Sequence, residues 1–288
     1  MTLIFASLSS IGIIGNILVI TVVYKVKGMI TPTNCYLVSL AASDCLFFIA
    51  TAPTELSYLH LEETEYIFGY FGCALFTFLP YLAINSSSLS IVAFTVERYI
   101  GICHPIRARY ICTVTRAKTI ISAIWLFCII YNSPWLYLAS LRIDNGEYSC
   151  SFKLERDHFT YKVMFLGDLL GFYVIPMLLY IVIYSKIAYH RFYVVKMLAL
   201  VVAIFAVCWL PYRAMVTYNS FVQDKWDPDW YIFLSKTMIF FNCAINPILY
   251  NVMSARFRNA FRSLLKGRKK IIHQIRQSGF SFFFDYFT

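Results

Sequence analysis

Charge is what this chain has least of: of 288 residues only 14% are charged, against 60% hydrophobic and 18% aromatic. That balance excludes an ordinary soluble globular domain. The nine cysteines are scattered, with no CxxC pair and no Cys/His cluster at metal-ligand spacing, so zinc and redox chemistry have no support. No nucleophile–base pair and no phosphate-binding glycine loop appears, and an enzyme is therefore not expected. An internal repeat is missing too, and the odd number of apolar runs argues against the inverted-repeat transporters. The first run has no basic segment before it and exceeds a signal-peptide core, so it reads as a retained span. Either an outer tail is absent or the sequence is clipped.

What is present is a series of seven runs, each long enough to cross about 30 Å of hydrocarbon. They occupy residues 3–24, 34–61, 73–99, 119–141, 162–184, 194–221 and 230–253. The expected fold is an all-α membrane protein: a seven-helix bundle over residues 1–253, an amphipathic helix over 254–270 and a tail over 271–288. In the amphipathic stretch Phe257, Phe261 and Leu264 recur at helical spacing with arginines between them, which suits an inner membrane face. The formal charge of +10 invites a nucleic-acid reading, but the basic residues lie between the runs and after the last one. That placement fits anionic membrane lipid and cytosolic partners, and no nucleic acid is expected. Lys25, Arg107, Arg116, Lys186, Arg191 and Lys196 mark one side as cytoplasmic, which puts the amino terminus outside. Glu62, Glu63 and Glu65 mark an acidic outer loop.

Several residues within the runs are polar or ionised, where such groups either pair or mark a functional path. Glu97, Arg98 and Tyr99 stand at the inner end of the third run. Asp44, Asn16, Ser87, Asn242 and Asn246 lie at similar depth in four helices, a pattern equally compatible with a hydrogen-bonded packing network. Tyr81 and Asn85 share one helical face, as do Trp209 and Arg213, all in the outer halves of their spans. Arg213 needs a partner there, either Asp168 or a ligand carbonyl. Pro211, two residues after Trp209, makes the sixth helix a plausible pivot. Cys73 and Cys150 lie on the oxidising side and read as a disulfide, the alternative being two free thiols.

These words resemble, in order, the motifs of rhodopsin-family (class A) G-protein-coupled receptors: Glu97-Arg98-Tyr99, Cys208-Trp209-Leu210-Pro211, and Asn246-Pro247 through Tyr250. Longer stretches, TPTNCYLVSLA (31–41), AFTVERYIGICHPI (93–106), FYVIPM (172–177), WLPYR (209–213) and NCAINPILYNVMSARFRNAFR (242–262), are similar to the thyrotropin-releasing hormone receptor family and its invertebrate relatives. The resemblance covers nearly the whole chain. It implies a short amidated peptide agonist held by Tyr81, Asn85, Trp209, Tyr212, Arg213 and Lys236, the last standing where that family usually has arginine. It further implies a heterotrimeric G protein of the Gq type received at Arg98, Tyr184 and Tyr250 with help from Ile106, arrestin as another partner, and a sodium ion near Asp44, Ser87, Asn242 and Asn246. No organic cofactor is implied. The connection between the fifth and sixth helices is very short, which reads as natural shortening or an edited chain.

Two other classes stay in view. An opsin-like photoreceptor would need a Schiff-base lysine where Phe240 stands, and Lys236 is about one turn further out. An ion- or proton-conducting protein would use Asp44 and Asp168 as relays, and no acidic chain joins them.

Overall fold

The computed structural model describes residues 1–60, 66–144, 147–155, 158–190, 192–222 and 224–265. Among them, seven helices are long and apolar enough to cross a membrane: Thr2–Lys25, Pro32–His60, Gly69–Cys103, Val114–Leu138, Phe159–Ala188, Ala199–Tyr218 and Asp229–Tyr250, here spans one to seven. Spans two and three are the most enclosed and form the centre of the bundle, whereas spans one, four and five turn broad apolar faces outward. The helix after span seven covers Ala255–Leu265 and seats Phe257 and Ala260 against the bundle, with Arg256 donating to the Gly28 carbonyl at 2.7 Å. The expected tail, 271–288, and the acidic residues Glu62, Glu63 and Glu65 lie outside the described residues.

Helix ends depart from the sequence reading at several places. Span three is longer than 73–99 at both ends. Span four breaks at Ser133-Pro134, where the proline nitrogen has no proton to continue the ladder; one further turn, Trp135–Leu138, ends it. Residues 139–141, expected as helix, instead open a hairpin of β1 (Ala139–Asp144) and β2 (Glu147–Phe152), in which Leu141 faces Cys150. A disulfide joins Cys150 to Cys73 at the start of span three, with a Cα–Cα distance of 5.5 Å. The hairpin is thereby fastened across one end of the bundle. Its far strand packs Phe152 against Trp135, Tyr161 and Phe165, and Tyr161 donates its hydroxyl to the Leu138 carbonyl at 3.0 Å.

Prolines inside spans create a more general demand. Each removes the N–H that would have satisfied the carbonyl four residues earlier, and within hydrocarbon that carbonyl must find another donor. Pro176 leaves the Phe172 carbonyl free, in a π-helical turn spanning Leu170–Val174, and Ser88 of span three donates to it at 2.6 Å. Pro247 leaves the Cys243 carbonyl free, and Asn16 of span one donates to it at 3.1 Å. Gly15 permits that approach, since a Cβ there would meet the Pro247 ring at 3.0 Å. Near Pro211 in span six, side chains of spans five and seven bond carbonyls other than the one the proline releases: Tyr173 donates to the Ala206 carbonyl at 2.9 Å and Tyr231 to the Pro211 carbonyl at 3.2 Å.

Ser88→Ala is expected to lower stability by about 1 kcal/mol, seen as a lower unfolding midpoint in detergent. In a Pro176→Ala background, where the missing N–H is returned, the same change is expected to cost less; an equal cost would show that the Phe172 carbonyl is not what Ser88 serves. Cys73→Ser is expected to reduce delivery to the cell surface, and unchanged surface levels would show that the bridge is dispensable for folding.

Candidate functional site

At the disulfide end of the bundle lies a cavity of about 400 Å³, within the range of small-ligand sites. Spans two, three, six and seven supply its walls, and β2 supplies its roof through Cys150, Ser151 and Phe152. Tyr81, Tyr212 and Lys236, three of the residues singled out in the sequence, line it. Tyr81 is held in place by stacking on Trp135, with ring centroids 4.4 Å apart and planes 7° from parallel. Phe47 and Phe240 form part of the floor and meet edge to face at 5.3 Å, and Trp209 packs against Phe47 beneath them. Tyr66, just before span three, also borders the cavity, and burial pushes its hydroxyl up to about 12, so it stays protonated at neutral pH.

Asn85 and Arg213 are placed differently from the expectation. Neither belongs to the wall of the main cavity. A small crevice below it is bordered by Arg213, Asp168 and Trp209 as well as by Tyr81 and Tyr212. Asn85 is fully buried and acts as a hub: its Nδ2 donates to Asn132 at 3.1 Å and to the Asp168 carboxylate at 2.9 Å, while its Oδ1 accepts from Arg213 at 3.1 Å. The second Arg213 nitrogen donates to the Asp168 backbone carbonyl at 2.6 Å. Of the two partners the sequence left open for Arg213, Asp168 or a ligand carbonyl, Asp168 is met here through its backbone carbonyl rather than as an ion pair; among the described residues the ion pairs are Glu97 with Arg116 and Glu55 with Lys236. The π-helical turn begins two residues after Asp168. Four spans therefore meet in one buried polar cluster, and the arginine borders the crevice, which shares Tyr81, Ile84 and Tyr212 with the cavity.

Nearer the middle of the bundle, Asn246 donates to Asp44 Oδ2 at 2.8 Å. The other Asp44 oxygen, the Ser87 hydroxyl and the Asn242 amide nitrogen are buried without a hydrogen-bond partner among the described residues. An unsatisfied carboxylate oxygen beside a buried hydroxyl is the donor chemistry that a hard cation accepts. Of the four residues named for sodium, Asp44 and Ser87 offer oxygen to such an ion, whereas the atom left unpartnered on Asn242 is an amide nitrogen, a donor that a cation does not take. Asn16, grouped with them in the sequence, serves the Cys243 carbonyl.

The comparisons with known proteins bear on this arrangement directly. Residues 15–250 match the family model of the 7 transmembrane receptor (rhodopsin family). The chain is 38% identical over 311 residues to the thyrotropin-releasing hormone receptor of Bos taurus, covering 92% of this chain and 77% of that protein. The receptor of the same name from Homo sapiens is 38% identical over 307 residues, covering 90% and 76%. Neuromedin-U receptor 2 of Rattus norvegicus is 30% identical over 302 residues, covering 93% and 76%. This chain belongs to the rhodopsin family of G-protein-coupled receptors. It is a multi-pass membrane receptor, and its relatives are receptors, not enzymes.

At the opposite end of the receptor, the Glu97-Arg98-Tyr99 triplet is split between partners. Glu97 is buried and meets Arg116 of span four at 3.4 Å. Arg98 sits over the Phe94 ring at 5.3 Å, and Tyr99 meets the His104 ring edge to face. Tyr184 approaches Thr95 at 3.4 Å, whereas Tyr250 is buried with no hydrogen-bond partner for its hydroxyl among the described residues. Ile106 projects outward, 78% exposed, from the short helix Pro105–Ile111. Arg191, one of the basic residues that mark the cytoplasmic side in the sequence, lies outside the described residues.

Sequence reasoning missed Glu55, whose carboxylate binds Lys236, and Asn132, which completes the Asn85 hub. An acid inside an apolar span was the available signal for Glu55. Asn132 carried the same kind of signal, an amide inside the fourth apolar run. Asn85→Ala strands groups on three other spans and is expected to cost about 3 kcal/mol of stability, against about 1 for Asn132→Ala. Thermal unfolding of both variants in detergent checks the order; equal shifts would remove Asn85 from its place as hub.

Proposed function

We propose that this receptor is activated by a short amidated peptide that enters the cavity beneath β2, with the amino terminus of the chain outside the cell. The observation that carries the reading is the cavity itself: Tyr81, Tyr212 and Lys236 line one space of small-ligand size in a chain similar to thyrotropin-releasing hormone receptors. Tyr66, Tyr81 and Tyr212 offer hydroxyls for peptide amides, and Phe47 and Phe240 offer an apolar floor. Arg213 borders the crevice under the floor and Asn85 is bonded to it, so that a ligand pressing on the floor also presses on the network beneath it.

That coupling supports the mechanism. The bound peptide favours an arrangement in which span six turns about Pro211, and the opposite end opens around Arg98, Tyr184 and Tyr250 to receive a heterotrimeric G protein. Tyr173–Ala206, which joins spans five and six, is a contact that such a movement would reset. Ile106, exposed beside that end, is suited to enter the partner's apolar cleft. The Gq type and phospholipase C are the proposed route, and arrestin a second partner at the same face. A sodium ion held by the Asp44 carboxylate and Ser87 hydroxyl, with Asn242 and Asn246 alongside, would favour the closed arrangement.

Calcium release in cells expressing the chain, challenged with thyrotropin-releasing hormone, is expected to be saturable. Tyr81→Phe and Arg213→Ala are expected to weaken potency at least about tenfold at matched surface levels. Silence of the unmodified receptor at the surface would sink the ligand class and leave the receptor family standing. Replacing external sodium by choline is expected to raise potency in the unmodified receptor and to change nothing in Asp44→Asn.

A further inference from the structure

Glu55 and Lys236 are the charged side chains among the described residues that line the cavity. They face one another across it from spans two and seven, with Lys236 Nζ 2.7 Å from one Glu55 oxygen and 2.9 Å from the other. The pair is only partly covered: the lysine side chain keeps 31% of its surface and the glutamate 18%. Nearby hydroxyls are committed elsewhere, Thr51 to the Phe47 carbonyl, Thr54 to the Thr51 carbonyl and Ser57 to the Thr54 carbonyl, and the Tyr58 ring lies 5.8 Å from the Lys236 ammonium. The ammonium and the carboxylate therefore answer mainly to one another and to whatever occupies the cavity.

This pairing changes what the lysine can recognise. A lone ammonium would attract a ligand carboxylate, but beside Glu55 that carboxylate would share one cation with a second anion, a like-charge arrangement that disfavours binding. An uncharged carboxamide is complementary instead. Its carbonyl oxygen accepts from the ammonium, which has three donors, and its NH₂ donates to the carboxylate, which has acceptor sites to spare.

We propose that Glu55 is a specificity-determining residue of this receptor: with Lys236 it forms a donor–acceptor clamp that takes the terminal carboxamide of the peptide and rejects the free acid. This rests on the peptide reading above and adds a residue and a selectivity to it. The clamp is neutral as a whole, so it discriminates by removing the reward for negative charge, which is specificity by exclusion.

The test compares calcium responses to thyrotropin-releasing hormone and to its deamidated free acid, at matched surface expression, in the unmodified receptor, Glu55→Gln and the charge-swapped double variant Glu55→Lys with Lys236→Glu. The unmodified receptor is expected to prefer the amide. Glu55→Gln, which leaves the lysine charge unopposed, is expected to narrow the amide-to-acid potency ratio by at least about tenfold, chiefly by improving the acid. The swapped pair is expected to keep the amide preference, and it decides the matter if Glu55→Gln fails to reach the surface. Equal potency of amide and acid in the unmodified receptor, an unchanged ratio in Glu55→Gln, or loss of the preference in the swapped variant overturns the clamp while leaving a peptide receptor. Silence toward both peptides overturns the peptide reading and the clamp with it.

Discussion

Within hydrocarbon a backbone carbonyl that loses its helical partner has no water to turn to, and this constraint organises the receptor. Pro176 and Pro247 each release a carbonyl, and each is met by a side chain from a different span, Ser88 and Asn16. Those bonds fix the depth of span five against span three and of span seven against span one. Apolar packing could not do so alone, because lipid tails are as favourable to leucine as a neighbouring helix is. The small residues that allow close approach, such as Gly15, follow from the same need.

Once the depths are fixed, the polar groups fall into three layers. The Glu55–Lys236 pair lies in the cavity, the Asn85 hub with Asp168, Asn132 and Arg213 lies under its floor, and Asp44 with Asn246 lies deeper. Trp209 and the Phe47–Phe240 pair separate the first layer from the others. Glu97 and Arg116 close the opposite end. Such a stack has discrete arrangements rather than a continuous range, since breaking any one bond leaves a costly buried group until another partner is found. That is the physical basis for a switch in a bundle whose helices are otherwise smoothly apolar.

The cavity depends on a different constraint. Span four cannot continue through Pro134, so the chain leaves the helix as β1, turns and returns as β2, and the Cys73–Cys150 bridge fastens that strand over the open end. The roof is thus determined by one proline and one covalent bond. Phe152 anchors the strand on its other side against Trp135, Tyr161 and Phe165, and Trp135 in turn aligns Tyr81.

The sequence by itself determined the seven spans, the amphipathic helix and the family, because each is written in local composition or in short motifs whose residues are neighbours in the chain; it offered Cys73 and Cys150, 77 positions apart, as a bridge that the structure forms. Helical spacing put Tyr81 on one face with Asn85, and the resemblance to the receptor family supplied Tyr212 and Lys236. The sequence could not decide which faces meet. That Asn85 turns away from the cavity wall to bond Asn132, that Arg213 holds the Asp168 carbonyl and Asn85 rather than a carboxylate, and that Lys236 is matched by Glu55 from 181 positions away are outcomes of helix rotation and depth. Those are set by contacts between spans, and no periodicity within one span records them.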